Sequence, residues 1–366
     1  MRSDILHDMK YVEIYSALKK SIAEREFAPA RKLPGETKLC KRFAAARNTI
    51  RQALSLLHSQ GLIEKRKGEG TFITKRGERK TGLIGIFIPD YDSSSFFASL
   101  KKELESIAQK KGYRIHLEPI ACKNKIPSEQ ILRRAARKMA ARRVEGVIFR
   151  PLLDVRRTET NKEILNIFLH AETPVVLIDS DITQRPERSS CDLIAVDNVS
   201  AGRRIAAHLL ETGRKKIAFM MSGLEICSNE NWGNRLFGIA GEVAVNGIDH
   251  GVSTLKFHPN DTDSLRTLFK SHRRPDAIAC GNDRTASVLI ENLKSIGIKI
   301  PQDIAVTGFD DESFARSSIP PLTTIRQPIS LIAKTAFKTL LARIRYPNND
   351  PREILLDAPL IIRKST

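Results

Sequence analysis

From Leu83 onward, short runs of apolar residues alternate with amphipathic stretches of about 12 to 18 residues. Short apolar runs are typical of strands buried on both faces, and apolar residues repeated every three or four positions are typical of helices packed against them. Parallel strands require crossover connections, which helices supply. Because this part of the chain is too long for one ordinary core, the pattern predicts two doubly wound α/β lobes with parallel sheets.

Nine strands and eight helices are predicted in this part of the chain. The strands are expected at residues 83–88, 114–120, 146–149, 175–178, 193–196, 216–220, 252–256, 277–280 and 305–309. The helices are expected at residues 96–111, 128–143, 159–170, 200–212, 235–246, 262–272, 284–295 and 330–345. We expect the first lobe to end near residue 180 and the chain to return to it near residue 310.

The preceding residues carry a different pattern. Apolar residues at helical spacing predict three helices, at residues 11–22, 37–43 and about 48–59. The face of the third helix that is expected to be buried consists of Ile50, Ala53, Leu54 and Leu57. Two short apolar segments then flank the basic, glycine-containing residues 65–70, as in a β-hairpin. Three helices followed by a basic hairpin predict an α+β winged helix-turn-helix.

The chain is therefore expected to contain a winged helix-turn-helix domain at residues 1–74, a polar linker at 75–82 and the α/β domain at 83–366. The net charge of +19 is unevenly divided, because residues 1–80 contain 19 Lys and Arg against 9 Asp and Glu, whereas the others contain 42 against 33. A strongly basic N-terminal part points to an anionic polymer as partner. A well-solvated basic surface is the alternative interpretation of the charge alone.

The third predicted helix begins with polar side chains that lie away from its apolar face. Arg bonds guanine through two hydrogen bonds, and Asn or Gln bonds adenine, in the major groove of DNA. The cations and glycines of the hairpin suit a phosphate backbone or the minor groove. The predicted DNA contacts are Arg47, Asn48, Thr49, Arg51 and Gln52 in the helix and Lys65, Arg66, Lys67 and Gly68 in the hairpin.

Four segments of this domain follow a known pattern. They are Leu33-Pro34-x-Glu36, Arg47-Asn48-Thr49-Ile50-Arg51-Gln52-Ala53-Leu54, Gly61-Leu62-Ile63 and Gly68-x-Gly70-Thr71-Phe72-Ile73. Residues 11–73 thereby resemble the winged-helix domain of the gluconate-repressor (GntR) family. The resemblance implies that Arg47, Thr49 and Arg51 contact the operator and that Gly68 reaches the minor groove. A further basic position of that family is Thr37 here, so the adjacent Lys38 is the candidate in its place.

A longer series of segments runs in order through the remainder of the chain. It includes Ser95-Phe96-Phe97, Glu145-Gly146-Val147-Ile148, Val196-Asp197-Asn198, Arg235-x-x-Gly238, Asn282-Asp283, Gly308-Phe309-Asp310-Asp311 and Pro320-Pro321-Leu322-Thr323-Thr324. Residues 81–366 thereby resemble the effector domain of the lactose-repressor (LacI) family, which shares the fold of periplasmic binding proteins. The pairing of these two domain types resembles that of bacterial arabinose-repressor-type regulators.

The effector cleft is expected at the carboxyl ends of the strands, between the lobes. Carboxylates placed there accept hydroxyl hydrogens, an arginine supplies a fork of donors, and aromatic rings offer a wall to a sugar ring. One of the two adjacent phenylalanines is expected to pack in the core instead, and a turn cap is the alternative role for Asp179. The candidate effector contacts, several of them implied by the resemblance, are Ser94, Phe96, Phe97, Asp179, Arg235, Asp283 and Asp310.

These features predict a sequence-specific regulator, a repressor that binds an inverted-repeat operator in double-stranded DNA as a homodimer and responds to a sugar or sugar derivative. An activator is an alternative, because the sequence does not reveal the sign of regulation. A periplasmic sugar-binding protein would not explain residues 1–80. An enzyme is disfavoured because no Gly-x-Gly-x-x-Gly follows the first strand of the α/β domain and no Gly-x-Ser-x-Gly is present.

Neither a metal nor another cofactor is expected. The five cysteines are scattered without a Cys-x-x-Cys pair, and the eight histidines show no metal-binding spacing. The chain also begins without the apolar segment of a signal peptide and contains no run of about 20 apolar residues. We therefore expect a cytoplasmic protein that does not enter the membrane.

Overall fold

A computed structural model of the chain describes residues 2–366 apart from residues 24–25, 28–30, 60–61, 67, 74–80, 90–94, 119, 121–126, 222–229, 249–250, 273 and 348. The chain divides into two compact units, residues 1–81 and 82–366, and each has a hydrophobic core of its own. Most of the predicted linker, residues 75–82, lies outside the described residues. Within the described residues, no helix is long and apolar enough to cross a membrane.

The first unit contains three helices and a two-stranded antiparallel sheet. They are α1 (Arg2–Ala23), α2 (Glu36–Phe43), α3 (Arg47–Ser59), β1 (Ile63–Arg66) and β2 (Gly70–Ile73). The apolar face of α3 is at most 2% exposed, as its spacing predicted, at Ile50, Ala53, Leu54 and Leu57. Where the hairpin turns, Gly68 and Gly70 have φ angles of 79° and 112°, which glycine adopts without strain. The predicted winged helix-turn-helix is confirmed.

The second unit begins with a lobe built on a six-stranded parallel sheet. Its strands are β3 (Leu83–Phe87), β4 (Arg114–Leu117), β5 (Gly146–Phe149), β6 (Val175–Ile178), β7 (Asp192–Val196) and β13 (Glu353–Leu356). They lie in the order β13-β7-β6-β5-β3-β4. One face of the sheet packs against α4 (Ser95–Lys110) and α12 (Ile329–Arg345), and the other packs against α5 (Glu129–Ala141) and α6 (Thr158–His170).

The second lobe also has six strands. They are β8 (Ile217–Met220), β9 (Ser253–Leu255), β10 (Ala277–Cys280), β11 (Ala305–Asp310), β12 (Thr323–Arg326) and β14 (Leu360–Ile361). They lie in the order β14-β12-β11-β10-β8-β9, and only β14 runs antiparallel to its neighbour. One face packs against α7 (Asn198–Glu211) and α8 (Glu230–Val245), and the other against α9 (Thr262–Lys270) and α10 (Asp283–Ser295). The short helix α11 (Ser313–Ser317) follows β11. The predicted pair of doubly wound lobes is confirmed.

The chain crosses between the lobes three times: between β7 and α7, between β12 and α12, and between β13 and β14. The crossings expected near residues 180 and 310 are therefore wrong. Strand β7 stays in the first lobe because it pairs with β6, and β12 stays in the second because it pairs with β11. Strands β12, β13 and β14 were not predicted, because β12 contains one apolar residue and the apolar runs of β13 and β14 are shorter than four residues.

Candidate functional site

The exposed face of α3 carries most of the predicted base-reading side chains. The exposed residues there are Arg47, Asn48, Arg51 and Gln52. Thr49 is only 1% exposed, so the expectation that it projects outward is wrong. It lies four residues before Ala53, which is fully buried, and residues four apart share one face of a helix. The side chain of Thr49 therefore lies within the domain, and the outward surface of α3 is formed by its neighbours.

Two of these arginines are held by one carboxylate that sequence reasoning did not place among the DNA contacts. Glu36, the first residue of α2, accepts hydrogen bonds from Arg47 Nε at 2.8 Å and from Arg51 Nε at 3.0 Å. The hydrogen bond from Arg47 and then that from Arg51 lower the pKa of Glu36, and Glu36 raises the pKa of Arg47. The sequence singled out Glu36 within the segment Leu33-Pro34-x-Glu36, but it did not show which residues the Glu36 side chain contacts.

Two of the predicted cations of the hairpin, Lys65 and Arg66, lie on β1. The predicted contacts that are exposed outside α3 are Lys38, Lys65, Arg66 and Gly68. The guanidinium of Arg66 lies 4.5 Å from the centre of the Phe72 ring, and its Nη2 donates to Glu64 at 2.6 Å. Lys67 lies outside the described residues. A basic edge on β1 and a turn without side-chain bulk at Gly68 are suited to approach a phosphate backbone.

Four predicted effector residues lie on elements that meet between the lobes. Asp179 directly follows β6, Asp310 ends β11, and Asp283 begins α10 just after β10. Arg235 lies in the second turn of α8 and is 5% exposed. All three carboxyl groups follow buried parallel strands, as the sequence already indicated, and this is the end of a sheet at which such a fold binds its ligands.

The two phenylalanines at the start of α4 have different surroundings. Phe97 is 9% exposed and packs in the core, as expected for one of the pair, whereas Phe96 is half-buried. The ring of Phe97 lies 4.7 Å from the guanidinium of Arg150, which follows β5 and is 6% exposed. Arg150 was missed, although a polar residue after a predicted strand was the signal that indicated Asp179. Ser94 lies outside the described residues.

Asp179 accepts hydrogen bonds from both lobes. Its Oδ2 accepts from Arg150 Nε of the first lobe at 2.9 Å, and its Oδ1 accepts from Asn231 Nδ2 of the second lobe at 2.9 Å. The backbone of Asp179 has a φ of 73°, a left-handed conformation that is unfavourable for an aspartate unless surrounding contacts hold it. These side-chain partners distinguish Asp179 from a residue that only caps a turn.

Arg235 is a buried cation with three kinds of contact. Its Nε donates to Asn198 Oδ1 at 2.8 Å, and its Nη1 donates to the carbonyl of Gly281 at 2.6 Å. Its guanidinium lies 3.4 Å from the centre of the Phe309 ring. Burial lowers the pKa of Arg235, and nearby carboxylates oppose that shift. The side chain is thus fixed in orientation before any ligand binds.

A chain of hydrogen bonds crosses the cleft. Asn198 Nδ2 donates to Asn231 Oδ1 at 3.2 Å, which completes the series Arg150, Asp179, Asn231, Asn198 and Arg235. A cavity of about 450 Å³ borders this series and is lined by residues of both lobes, among them Arg185, Glu230 and Phe237. This volume lies within the usual range of small-molecule sites, but Arg235, Asp283 and Asp310 do not line the cavity. Sequence reasoning missed Asn231, for which no strand end or motif was a signal.

Two of these carboxyl groups, those of the buried Asp283 and the half-buried Asp310, have raised pKa values. Asp283 Oδ1 accepts the hydroxyl of Thr324 at 2.5 Å, and Oδ2 accepts the Glu312 backbone N–H at 2.8 Å. Burial nevertheless raises the pKa of Asp283 to about 8, so this carboxyl holds a proton near neutral pH and is able to donate as well as accept. Burial also raises the pKa of Asp310 to about 6, and Gln327 Nε2 donates to this carboxylate at 2.6 Å.

A close helix crossing sets the positions of Asn198 and Arg235. A Cβ atom at Gly202 of α7 would lie 2.2 Å from the carbonyl oxygen of Arg235, and one at Gly238 of α8 would lie 2.1 Å from that of Val199. Because only glycine permits such an approach, the backbones of α7 and α8 touch at this point. The crossing brings the Arg235 guanidinium within hydrogen-bond reach of Asn198.

The cysteines among the described residues, Cys40, Cys191 and Cys280, are free thiols. Among the described residues, no group of three His, Cys, Asp or Glu side chains is arranged to hold a metal ion. Cys191 and Cys280 are buried, and burial raises the pKa of the Cys191 thiol to about 12. A thiol with so high a pKa is a poor nucleophile at neutral pH. Cys122 and Cys227 lie outside the described residues.

Comparison with known proteins agrees with this division. Residues 10–73 match the bacterial regulatory proteins of the gntR family, and residues 206–366 match the periplasmic binding protein-like domain. An arabinose metabolism transcriptional repressor of Geobacillus stearothermophilus is 26% identical over 369 residues, which cover 98% of this chain and 97% of that protein. The HTH-type transcriptional repressor PurR of Vibrio campbellii is 30% identical over 290 residues, which cover 78% of this chain and 81% of that protein.

Solved structures share the fold of the larger unit. A LacI family transcriptional regulator from Enterococcus faecium with bound ribose is 25% identical, covers 78% of this chain and 98% of its own, and has a TM-score of 0.61. The CelR–cellobiose complex, at 20% identity and a TM-score of 0.65, covers 87% of this chain and 90% of its own and shows the likeness of fold alone. The resemblances to the GntR and LacI families are confirmed. The chain belongs to the bacterial HTH-type transcriptional repressors with a LacI-type, periplasmic-binding-protein-like effector domain, here preceded by a DNA-binding domain of the gntR family.

Proposed function

We propose that this repressor is controlled by a sugar or a sugar derivative bound between the lobes of residues 83–366. The observation that carries the proposal is the surroundings of Arg235, a buried guanidinium that is stacked on Phe309 and lies near the carboxyl groups of Asp179, Asp283 and Asp310. Sugar hydroxyls both donate and accept, and carboxyl and guanidinium groups placed together match both roles. The likeness to an arabinose metabolism repressor and to a ribose-bound regulator supports this ligand class.

The proposed effector contacts are the three carboxylates, Arg235 and the half-buried ring of Phe96. Phe97 instead supports Arg150 from the core, and Ser94 remains a prediction from the sequence. Among the described residues, the side chains that donate to the Asp179 carboxylate are those of Arg150 and Asn231. A sugar hydroxyl that takes the place of either donor breaks that hydrogen bond. Ligand binding is thereby linked to the relative position of the lobes, through differential affinity for two states.

On the DNA side, the proposal is a homodimer that places two copies of α3 in the major groove of an inverted repeat. Arg47, Asn48, Arg51 and Gln52 contact bases. The proposed backbone and minor-groove contacts are Lys38, Lys65, Arg66 and Gly68. The domain boundaries remain 1–74 and 83–366 with residues 75–82 as the linker. The protein acts in the cytoplasm, where its DNA is, and we assign it no catalytic role.

The ligand class is tested by thermal unfolding of the full chain with pentoses, hexoses, sugar acids, sugar phosphates and nucleosides. A ligand present at about 100 times its Kd stabilises the folded state by about 2.7 kcal/mol. We expect a sugar or sugar derivative to raise the melting temperature of the wild type and of the control Asp263→Asn, an exposed site on α9. We expect no such rise for Asp283→Asn or Arg235→Lys. Stabilisation by nucleosides alone would refute the proposed ligand class.

A further inference from the structure

The cavity of about 450 Å³ is set apart from most of the proposed effector contacts. Asp179 lines it, whereas Arg235, Asp283 and Asp310 do not. Its walls lie where the chain first crosses between the lobes, and they are formed by the loop after β6, the end of β7, the starts of α7 and α8 and the edge strand β13. A molecule in this crossing cavity therefore contacts both lobes without lying against Arg235.

Two apolar side chains of the crossing cavity are exposed. Phe237 of α8 is 67% exposed and Leu355 of β13 is 46% exposed, and both line the cavity. An aromatic ring that packs on Phe237 removes apolar surface from water and gains a favourable ring–ring contact. Exposed apolar groups inside a concave space of this size are typical of a ligand site. These two side chains therefore suit a small flat ring.

Polar groups lie on either side of Phe237 along α8. Asn234 precedes Phe237 by three residues and Gly241 follows it by four, so the three positions share one face of the helix. A Cβ atom at Gly241 would lie 4.0 Å from Arg203 Nη2, which places this guanidinium about one helical turn from Phe237. Among the described residues, neither Asn234 nor Arg203 has a hydrogen-bond or ion-pair partner, and both line the cavity.

The other charged groups of the lining leave Arg203 as the cation to be matched. Five of the six acids have a partner among the described residues, and the sixth, Glu187, is exposed. The pairs are Asp179 with Arg150, Asp181 and Glu353 with Arg188, Glu230 with Arg185, and Asp197 with the N–H and hydroxyl of Ser200. A guanidinium binds a carboxylate through two parallel hydrogen bonds. A singly charged carboxylate also suits this acid-rich lining better than a phosphate, which carries nearly two charges.

We propose that the crossing cavity is a second ligand site, which binds a small aromatic carboxylate with its ring on Phe237 and its carboxylate on Arg203. Asn234 both donates and accepts, and it is placed to bond a hydroxyl on the ring. The inference rests on the lining of the cavity and not on the sugar site proposed above. The competing explanation is a recess that holds only water, in which Arg203 is solvated.

The test measures binding to the full chain by isothermal titration calorimetry. The probes are benzoate and 4-hydroxybenzoate, with benzyl alcohol and benzylamine as the neutral and cationic counterparts and cyclohexanecarboxylate as the acid without an aromatic ring. The variants are Phe237→Ala and Arg203→Gln. Val245→Ala on α8 and Arg266→Gln on α9 are the matched controls, because both residues are exposed and neither lines the cavity.

We expect the wild type to bind both aromatic acids with a Kd of about 1 mM or lower, and the other three probes more weakly. Arg203→Gln should weaken binding about tenfold and Phe237→Ala about three- to tenfold, whereas the controls should leave it unchanged. The inference is overturned if neither aromatic acid binds, if benzylamine or cyclohexanecarboxylate binds as tightly as benzoate, or if both variants keep the wild-type affinity. Asp283→Asn should also bind benzoate normally. A loss of benzoate binding in that variant would place the acid in the sugar cleft, which overturns this inference and leaves the proposed function standing.

Discussion

The crossing of α7 and α8 can be tested with one methyl group. In Gly238→Ala the new Cβ would lie 2.1 Å from the Val199 carbonyl oxygen and 2.9 Å from its carbonyl carbon. An ordinary van der Waals contact is about 3.4 Å or more, so the helix backbones must separate by about 1 Å. Overpacking of this kind costs about 1–3 kcal/mol or somewhat more, and alanine regains about 1 kcal/mol of helix propensity. Because the overlap is with backbone atoms, which move less easily than side chains, the cost lies at the upper end of that range, and we expect a net loss of about 2 kcal/mol in the free energy of unfolding.

Two other glycines of α8 provide control substitutions, for which the expected change in stability has the opposite sign. A Cβ at Gly233 would meet no atom within 4 Å, and one at Gly241 would meet only Arg203 Nη2 at 4.0 Å. Neither glycine has a positive φ, so alanine at either position should stabilise the protein by about 0.5–1 kcal/mol. Urea unfolding monitored by circular dichroism gives the free energies of unfolding of the three variants. A Gly238→Ala variant as stable as the two controls would refute the close crossing and, with it, the account of how Arg235 is positioned.

Three further predictions concern the reader and the cleft. Arg51→Ala should reduce operator binding by about 1–3 kcal/mol per half-site and should affect binding to scrambled DNA less. Lys65→Ala should instead weaken binding to both duplexes and lower the salt dependence, the slope of log K against log salt concentration, by about one. Salt titrations of both variants with both duplexes test this, and an equal loss of affinity for the two duplexes in Arg51→Ala would exclude a base contact. Burial raises the pKa of Asp283 to about 8, above its value of about 4 in the unfolded chain, so the unfolded state loses its proton first and stability declines as pH rises from about 4 to 8. Relative to Asp283→Asn, the free energy of unfolding of the wild type should therefore fall by on the order of 1 kcal/mol per pH unit between pH 5 and 7.5. A difference between the two proteins that does not change with pH would contradict a raised pKa at Asp283. Asn231→Ala removes the hydrogen bond that the second lobe donates to Asp179. In small-angle scattering, the radius of gyration of the ligand-free variant should exceed that of the wild type, and ligand should restore the wild-type value. An unchanged radius of gyration would show that this hydrogen bond does not hold the two lobes together.

Much of the candidate site followed from the sequence because its signals are local. The buried face of α3 depends only on the spacing of Ile50, Ala53 and Leu57 along one helix, and their exposure agrees with it. Likewise, Asp179 and Asp283 were found from their position after short apolar runs, since the carboxyl end of a buried parallel strand is where an α/β fold binds its ligands. Periodicity and strand ends require no knowledge of which element lies beside which.

Everything that depended on neighbours distant along the chain was decided by the tertiary structure. The partner of Asp283 is Thr324, 41 residues away, the partner of Asp179 on the second lobe is Asn231, 52 residues away, and Glu36 meets Arg51 across 15 residues and a helix turn. The lobe to which β7 belongs was likewise set by its pairing with β6 rather than by its own residues. Such contacts arise from strand order and helix crossing, and these depend on how whole apolar faces pack together, so no short segment of sequence contains the information that specifies them.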